Sequence, residues 1–419
     1  MQARRAAFTA LLLGAAALGG AWLSGTALRA DPPASPAPRA VTLPALPLKT
    51  SGRWIVDGQN ARFKLAGVNW YGAEEADHVP AGLEYQPVDA IARRIAELGF
   101  NVVRLPWSNE LVENNPVIED ANLAANPALK GKHALEVLDA VVDALGKAGV
   151  LVVLDNHTSR GDWCCSDSDG NGLWHADHYP ESAWLADWRT MALRYRDRRH
   201  VIGADLRNEL RSGATWGGGG PTDWRAAAER GGRTVLAVAS HWLIFVEGPH
   251  YATELHGAFS QPISFPGRLV WEAHEYSWSQ PDPATFDALH TVLGDAWGFL
   301  LIQNRPFTAP VWVGEFGTSH DAAGTDPGRP GGRWFGWCCR YLREADIDWC
   351  YWAINGTQAR GKGRSRGAEE SYGILDRDWN TVASAELMQA LTGLQPATQG
   401  PTGDSLWKRS LHLLGVRSN

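Results

Sequence analysis

The stretch HALEVLDAVVDALGKAGVLVVLDNHTS, residues 133–159, holds one complete unit of the fold. Its first part, His133–Ala148, spaces its apolar residues at the helical period. Gly149 follows, the residue type that ends helices because it accepts a left-handed backbone. Next comes Val150–Leu154, an apolar run without alternation. Such a run suits a strand buried on both faces of a parallel sheet. The run ends in Asp155-Asn156-His157, polar groups placed directly after the apolar residues.

The same order recurs along the chain. Strand candidates are Leu65–Trp70, Phe100–Leu105, Val150–Asp155, Val201–Arg207, Leu243–Glu247, Leu269–His274, Val311–Glu315 and Trp349–Ile354. Amphipathic stretches lie between them: Asp89–Leu98, His133–Ala148, Glu181–Arg196, Asp223–Ala239, Pro283–Gln303 and Gly332–Ala345. Strands alternating with helices in this way predict an α/β protein, a (β/α)8 TIM barrel rather than an open sheet. Its length, 419 residues, fits one such barrel with flanking segments. Ahead of the first strand, Arg53–Lys64 reads as a β-hairpin around Asp57-Gly58, placed to close the barrel bottom.

The ends of the chain read differently. Residues 1–30 carry Arg4 and Arg5, then a run of small and apolar residues from Ala6 to Leu23, with Ala27 and Ala30 as candidate cleavage positions. This is the pattern of a signal peptide or of a retained N-terminal anchor, and only the second would place the chain at a membrane. Residues 31–48 are a Pro/Ala-rich linker, residues 49–395 the catalytic domain and residues 396–419 a C-terminal tail in which Leu406–Val416 can form a short helix. The expected location is therefore extracellular, secreted or surface-anchored.

A net charge of −7 with no strongly basic block gives nucleic acid no footprint. Nothing in the pattern calls for an obligate protein partner. The chain has 21 Trp, and flat aromatics stack on the apolar faces of sugar rings, so carbohydrate is a natural ligand class. Its cysteines are Cys164, Cys165, Cys338, Cys339 and Cys350, an odd number that leaves at least one thiol outside any intrachain pairing. The vicinal pairs read as structural staples or buried thiols, since no His stands at ligand spacing. Asp167–Gly172 matches the first half of a calcium loop, but position twelve is His178 rather than Glu, so the segment reads as an acidic loop. No metal and no cofactor are expected.

Catalytic groups of a (β/α)8 barrel sit where the strands end. Here those positions hold Arg104, Asp155-Asn156-His157, Arg207-Asn208-Glu209, His274 with Tyr276, Glu315 and Trp352. Two carboxylates on one rim are what glycoside hydrolysis needs, one protonated to release the leaving oxygen and one ionised to attack the anomeric carbon. A carboxylate beside Arg104 and a Tyr hydroxyl stays charged, which suits the nucleophile. A carboxyl that faces the cleft and has an Asn as neighbour suits the acid.

These runs resemble glycoside hydrolase family 5. VIGADLRNEL (Val201–Leu210) looks like its Asn-Glu motif and VWVGEFG (Val311–Gly317) like its nucleophile strand. GVNWYG (67–72), FNVVRLPWS (100–108), LVVLDNHTS (151–159) and EAHEYS (272–277) resemble its other strand ends, in order. HTSRGDWCCSDSDGNGLW (157–174) is also similar to a plant cellulase-like branch. The resemblance covers residues 50–395 and implies a retaining β-glycosidase of the cellulase-like branch. It implies Glu209 as acid/base, Glu315 as nucleophile and Asn208 as partner of the sugar 2-hydroxyl. Arg104 and Tyr276 would orient Glu315, His157 and His274 would line the reacting sugar, and Trp352 would lie beneath it. Internal cleavage of β-1,4-glucan is the favoured activity. An exo-acting β-glucosidase, β-mannosidase or disaccharide-releasing glycosidase is the alternative, and a non-catalytic carbohydrate-binding protein the distant one. Trp70, Trp107, Trp174 and Trp278 are candidate cleft aromatics. Trp163, Trp184 and Trp188 read as packing residues.

Overall fold

The computed structural model of the protein describes residues 43–279 and 283–396. The expected signal segment, most of the linker and the tail with its helix lie outside those residues. The chain enters through a hairpin of β1 (Lys49–Ser51) and β2 (Trp54–Val56). The turn expected at Asp57-Gly58 follows, where Asp57 N donates to Ala61 O at 2.9 Å and Phe63 N to Ile55 O at 3.0 Å. The expected hairpin thus gains a strand ahead of Arg53, because β1, directly after the expected linker, pairs with β2. Leu48 is likewise 1% exposed, already inside the fold.

Eight parallel strands close into a barrel: β3 (Ala66–Asn69), β4 (Val102–Ser108), β5 (Leu151–Thr158), β6 (Val201–Asp205), β7 (Leu243–Glu247), β8 (Leu269–Glu275), β9 (Val311–Phe316) and β10 (Asp348–Tyr351). All eight expected strands are there. β4 and β5 run past their apolar stretches because they keep pairing, Pro106 with Asp155 and Trp107 with Asn156. Helices Val88–Glu97, Ala134–Lys147, Glu181–Tyr195, Trp224–Leu236, Phe286–Ala296 and Pro330–Glu344 match the six amphipathic stretches. Trp184 and Trp188, four apart on one helix face, both donate their indole N–H to Leu206 O, at 3.1 and 3.0 Å. That contact places them in packing, as their spacing suggested.

The barrel is filled from below and left polar above. Leu48, Ile55, Phe63 and Leu65 from the entry segment meet the inward-facing Val102, Val153, Phe245 and Trp312 in one apolar cluster. The hairpin therefore closes the barrel bottom. Register sets the polar upper layer: Asn69 pairs with Arg104, Asp155 with Asp205, Glu247 with Glu272 and His274 with Glu315. The β8–β9 ladder shifts between Ala273 and His274. Bulges of this kind re-aim a side chain, here at the rim.

Candidate active site

Arg104 is the hub of the polar layer. It is fully buried, and five carboxyl groups lie within 3.3 Å of it: Asp155 at 3.1, Asp205 at 2.6, Glu247 at 3.2, Glu272 at 3.3 and Glu315 at 2.8 Å. One positive charge cannot offset five negative ones in a buried layer, so some of these groups keep their protons. Burial raises Asp155 to about 6 and Asp205 to about 7. Burial, with Asp205 beside each, also pushes Glu247 and Glu272 well above the usual range. A Cβ at Gly314 would run into the Glu272 carboxyl, so the strand of Glu315 needs glycine at that position. Arg104→Met is expected to cost about 3–5 kcal/mol of stability, since it leaves buried carboxyls without their cation. Denaturant unfolding measures this, and a loss near zero would show that the cluster is balanced by protons alone.

Glu315 is held by donors on both oxygens. Arg104 Nη1 donates to Oε1 at 2.8 Å and the Tyr276 hydroxyl to Oε2 at 2.8 Å. Burial and the neighbouring Glu315 keep the Tyr276 pKa well above its usual value, so this phenol retains the proton it donates. Charge-assisted bonds of this kind stabilise the ionised carboxylate.

Glu209 sits differently. Its backbone is left-handed, with φ at 44°, a conformation that costs a non-glycine residue energy and is retained where the surroundings impose it. Its N–H donates to Glu247 Oε2 at 2.5 Å. Its side chain is 13% exposed and faces His274 Nδ1 at 3.2 Å. Burial raises its pKa. His274 and His157 are themselves pushed down by burial, to about 4 and about 3, and stay neutral near pH 7. His157 Nδ1 faces Asp155 Oδ2 at 2.6 Å. A carboxylate oxygen of Glu209, one of Glu315 and a ring nitrogen of His274 all lie within 4.8 Å of one another. One carboxyl inclined to hold a proton therefore faces one that accepts from two fixed donors.

A cavity of about 750 Å³ opens above this pair. The sequence-expected His157, Asn208, Glu209, His274, Tyr276, Trp278, Glu315 and Trp352 all line it. Trp352 stacks on Tyr71, ring centroids 5.0 Å apart and planes 7° apart. Trp278 is 65% exposed and stacks on Tyr276 at 4.4 Å. Arg104 is brought to Glu315 from beneath rather than into the cavity.

Three of the four expected cleft aromatics are elsewhere. Trp70, Trp107 and Trp174 are at most 1% exposed and line no part of the cavity. Trp70 donates to Ala81 O and Trp174 to Glu181. Trp107 packs edge-on against Trp188 at 5.0 Å. Trp70 and Trp107 stand at strand ends and are buried in packing, Trp174 is buried on a loop where Glu181 holds its indole, and Trp278 stands exposed on the loop after its strand. Conversely Trp163, expected to pack, lines the cavity beside Trp352. Sequence reasoning also passed over Glu247, although it ends its apolar strand as Glu315 does. Tyr251, Arg364 and Tyr372 come from loops without periodicity, and no local signal announced them.

The acidic loop is bound up internally. Asp169 pairs with Arg211 at 2.5 Å and Asp167 accepts from the Tyr251 hydroxyl at 2.7 Å. Cys164 and Cys165 form a disulfide with each other, while Cys338, Cys339 and Cys350 are buried thiols.

Known proteins resemble this chain over most of its length. Residues 56–358 match the family described as Cellulase (glycosyl hydrolase family 5). An endoglucanase of Paenibacillus polymyxa is 32% identical over 352 residues, 79% of this chain and 83% of that protein. The major extracellular endoglucanase of Xanthomonas campestris pv. campestris is 32% identical over 358 residues, 79% of this chain and 68% of that protein. The solved structure of a hyperthermophilic endocellulase from the archaeon Pyrococcus horikoshii superimposes with a TM-score of 0.72 at 28% identity, covering 85% of this chain and all of that one. With a closed parallel barrel, a pair of rim glutamates and a match over most of its length, the chain belongs to the cellulase family of glycoside hydrolases, glycosyl hydrolase family 5.

Proposed function

We propose that the protein is a secreted endo-β-1,4-glucanase acting with retention of configuration. The observation that carries the mechanism is the Glu209–Glu315 spacing, with oxygens within 4.8 Å. Retaining enzymes hold their carboxyls about 5–5.5 Å apart, and inverting ones about 6.5–9.5 Å apart to admit a water. In the first step Glu209 gives its proton to the glycosidic oxygen as Glu315 attacks the anomeric carbon from the opposite face. The bond to the leaving sugar breaks and an ester to Glu315 forms. In the second step Glu209, now ionised, takes a proton from water, and the water oxygen displaces Glu315. Arg104 and Tyr276 orient Glu315 for attack, Asn208 meets the 2-hydroxyl, His157 and His274 line the sugar, and Trp352 lies beneath it.

The endoglucanase names of the relatives support the substrate, and the exposed Trp278 at the cavity mouth suits a chain that extends beyond the reacting sugar. Trp278→Ala is expected to lower kcat/KM on polymeric glucan by about two- to tenfold, the worth of one aromatic contact. The same change should leave a small aryl glycoside nearly unaffected, and an equal loss on both would place Trp278 in the reacting subsite. Secretion is supported by the N-terminal pattern, by a disulfide that an oxidising compartment permits, and by the extracellular Xanthomonas relative. The catalytic domain is assigned to residues 49–395, and the buried Leu48 packs onto it.

Product analysis of residues 43–419 on carboxymethylcellulose, barley β-glucan, mannan and aryl β-glycosides tests the substrate. Falling viscosity with cello-oligosaccharides is the expected result. Release of only a mono- or disaccharide from the aryl glycosides, with every polymer untouched, would contradict it.

A further inference from the structure

The Cys164–Cys165 disulfide lines the cavity with both residues. A bond between sequence neighbours closes almost no chain loop, so the loop entropy by which disulfides stabilise folds is nearly absent here. Its use lies in what the sulfurs touch. Asn208 Nδ2 donates to both, at 3.7 Å each. His157 Nε2 lies 3.5 Å from Cys164 Sγ. Both residues line the cavity with the carboxyl pair, and Asn208 immediately precedes Glu209.

The Asn208 amide is thereby clamped at both ends. Arg104 Nη2 donates to its oxygen at 2.9 Å, and the sulfurs receive its nitrogen. Disulfide sulfur is a weak acceptor, so it orients an N–H without competing strongly with a sugar hydroxyl for it. The loop that carries the disulfide is fixed as well. Arg211 Nε donates to Ser166 O at 3.1 Å and its Nη2 pairs with Asp169, while Asn171 Oδ1 receives Ser159 N at 2.9 Å and Arg160 N at 3.2 Å. The sulfurs are thus pressed against Asn208 by a loop that cannot easily retreat.

We propose that the Cys164–Cys165 disulfide is a positioning element of the glycone site. It holds the Asn208 amide and the His157 ring in the orientation that meets the 2-hydroxyl of the reacting sugar, and it forms the apolar wall beside them. This rests on the two-glutamate reading above. Opening the bond moves the sulfurs apart to van der Waals distance and turns each into a thiol with a proton of its own. Both changes displace the amide that they contact. Misplacement of a positioning group by about 1 Å costs on the order of 10²-fold in rate.

The test compares kcat/KM on an aryl β-glycoside and on its 2-deoxy analogue. The wild-type protein is measured before and after dithiothreitol, which becomes a cyclic disulfide as the Cys164–Cys165 bond takes up two electrons and two protons. Alkylation and peptide mass confirm that the bond has opened. Cys164→Ala/Cys165→Ala, Asn208→Ala and their combination complete the set. The expected result is a drop of about tenfold or more in the preference for the 2-hydroxyl on reduction. The double-Ala variant should show the same drop, with little further loss when Asn208→Ala is added. If the variant does not fold, reduction of the wild type alone decides. An unchanged preference in the reduced enzyme, or additive losses, overturns the inference and leaves the mechanism standing. An untreated wild type that hydrolyses no β-glycoside sinks the site reading and this inference with it.

Discussion

Glu315→Gln is expected to lower kcat on every β-glycoside substrate by at least about 10⁴-fold, the scale on which loss of a nucleophile acts. The side chain keeps its volume, so the barrel should still fold. What disappears is the charge toward which Arg104 and Tyr276 each donate at 2.8 Å. An amide cannot attack the anomeric carbon, and without the ester the second step has no substrate. The check is kcat on an aryl β-cellobioside together with an unfolding curve. A folded variant within tenfold of wild type would move the nucleophile elsewhere. Glu315→Gly adds a chemical readout: azide entering the vacated side should give the α-glycosyl azide.

Glu209→Gln should separate the two steps. On a substrate whose leaving group needs protonation, the loss is expected at about 10²–10⁴-fold, the usual worth of general acid catalysis. On a dinitrophenyl glycoside the first step needs no acid and should stay fast. The ester on Glu315 then accumulates, a burst appears, and azide should restore turnover as the β-glycosyl azide. The pH profile carries the same prediction. Burial holds the Glu209 proton above the ordinary glutamate range, and the acid form is the active one. Activity therefore falls as pH rises through that raised pKa, and in Glu209→Gln this alkaline limb should flatten. A steep alkaline limb surviving in the variant would mean that another group supplies the proton.

Most of the fold was legible because each strand is an apolar run ended by polar residues, with a helix pattern between. Register could not be read in the same way. Trp70, Trp107 and Trp278 all follow or end strands in sequence, yet two point outward into packing and one stands at the cavity mouth. A one-residue difference in register reverses a side chain, and single-sequence periodicity does not resolve it. Glu209 and Glu315 stood out only through the runs around them, LRNEL and VWVGEFG, because ending an apolar strand in glutamate does not set Glu315 apart from Glu247. The proton-holding role of Glu247 and Glu272 was not legible, since it arises from meeting Arg104 and Asp205 across the barrel. The disulfide's contact with Asn208 likewise joins residues 44 and 43 positions apart.

The most direct test is to trap the ester. The 2-fluorine of a dinitrophenyl 2-deoxy-2-fluoro-β-cellobioside slows both steps while its good leaving group keeps the first one fast, so the intermediate should accumulate. Mass spectrometry of the intact protein and of its peptides then reads the attachment. The account predicts one fluorocellobiosyl group, bound through Glu315. A label on another residue, or unlabelled enzyme that releases a product of inverted configuration, would contradict it.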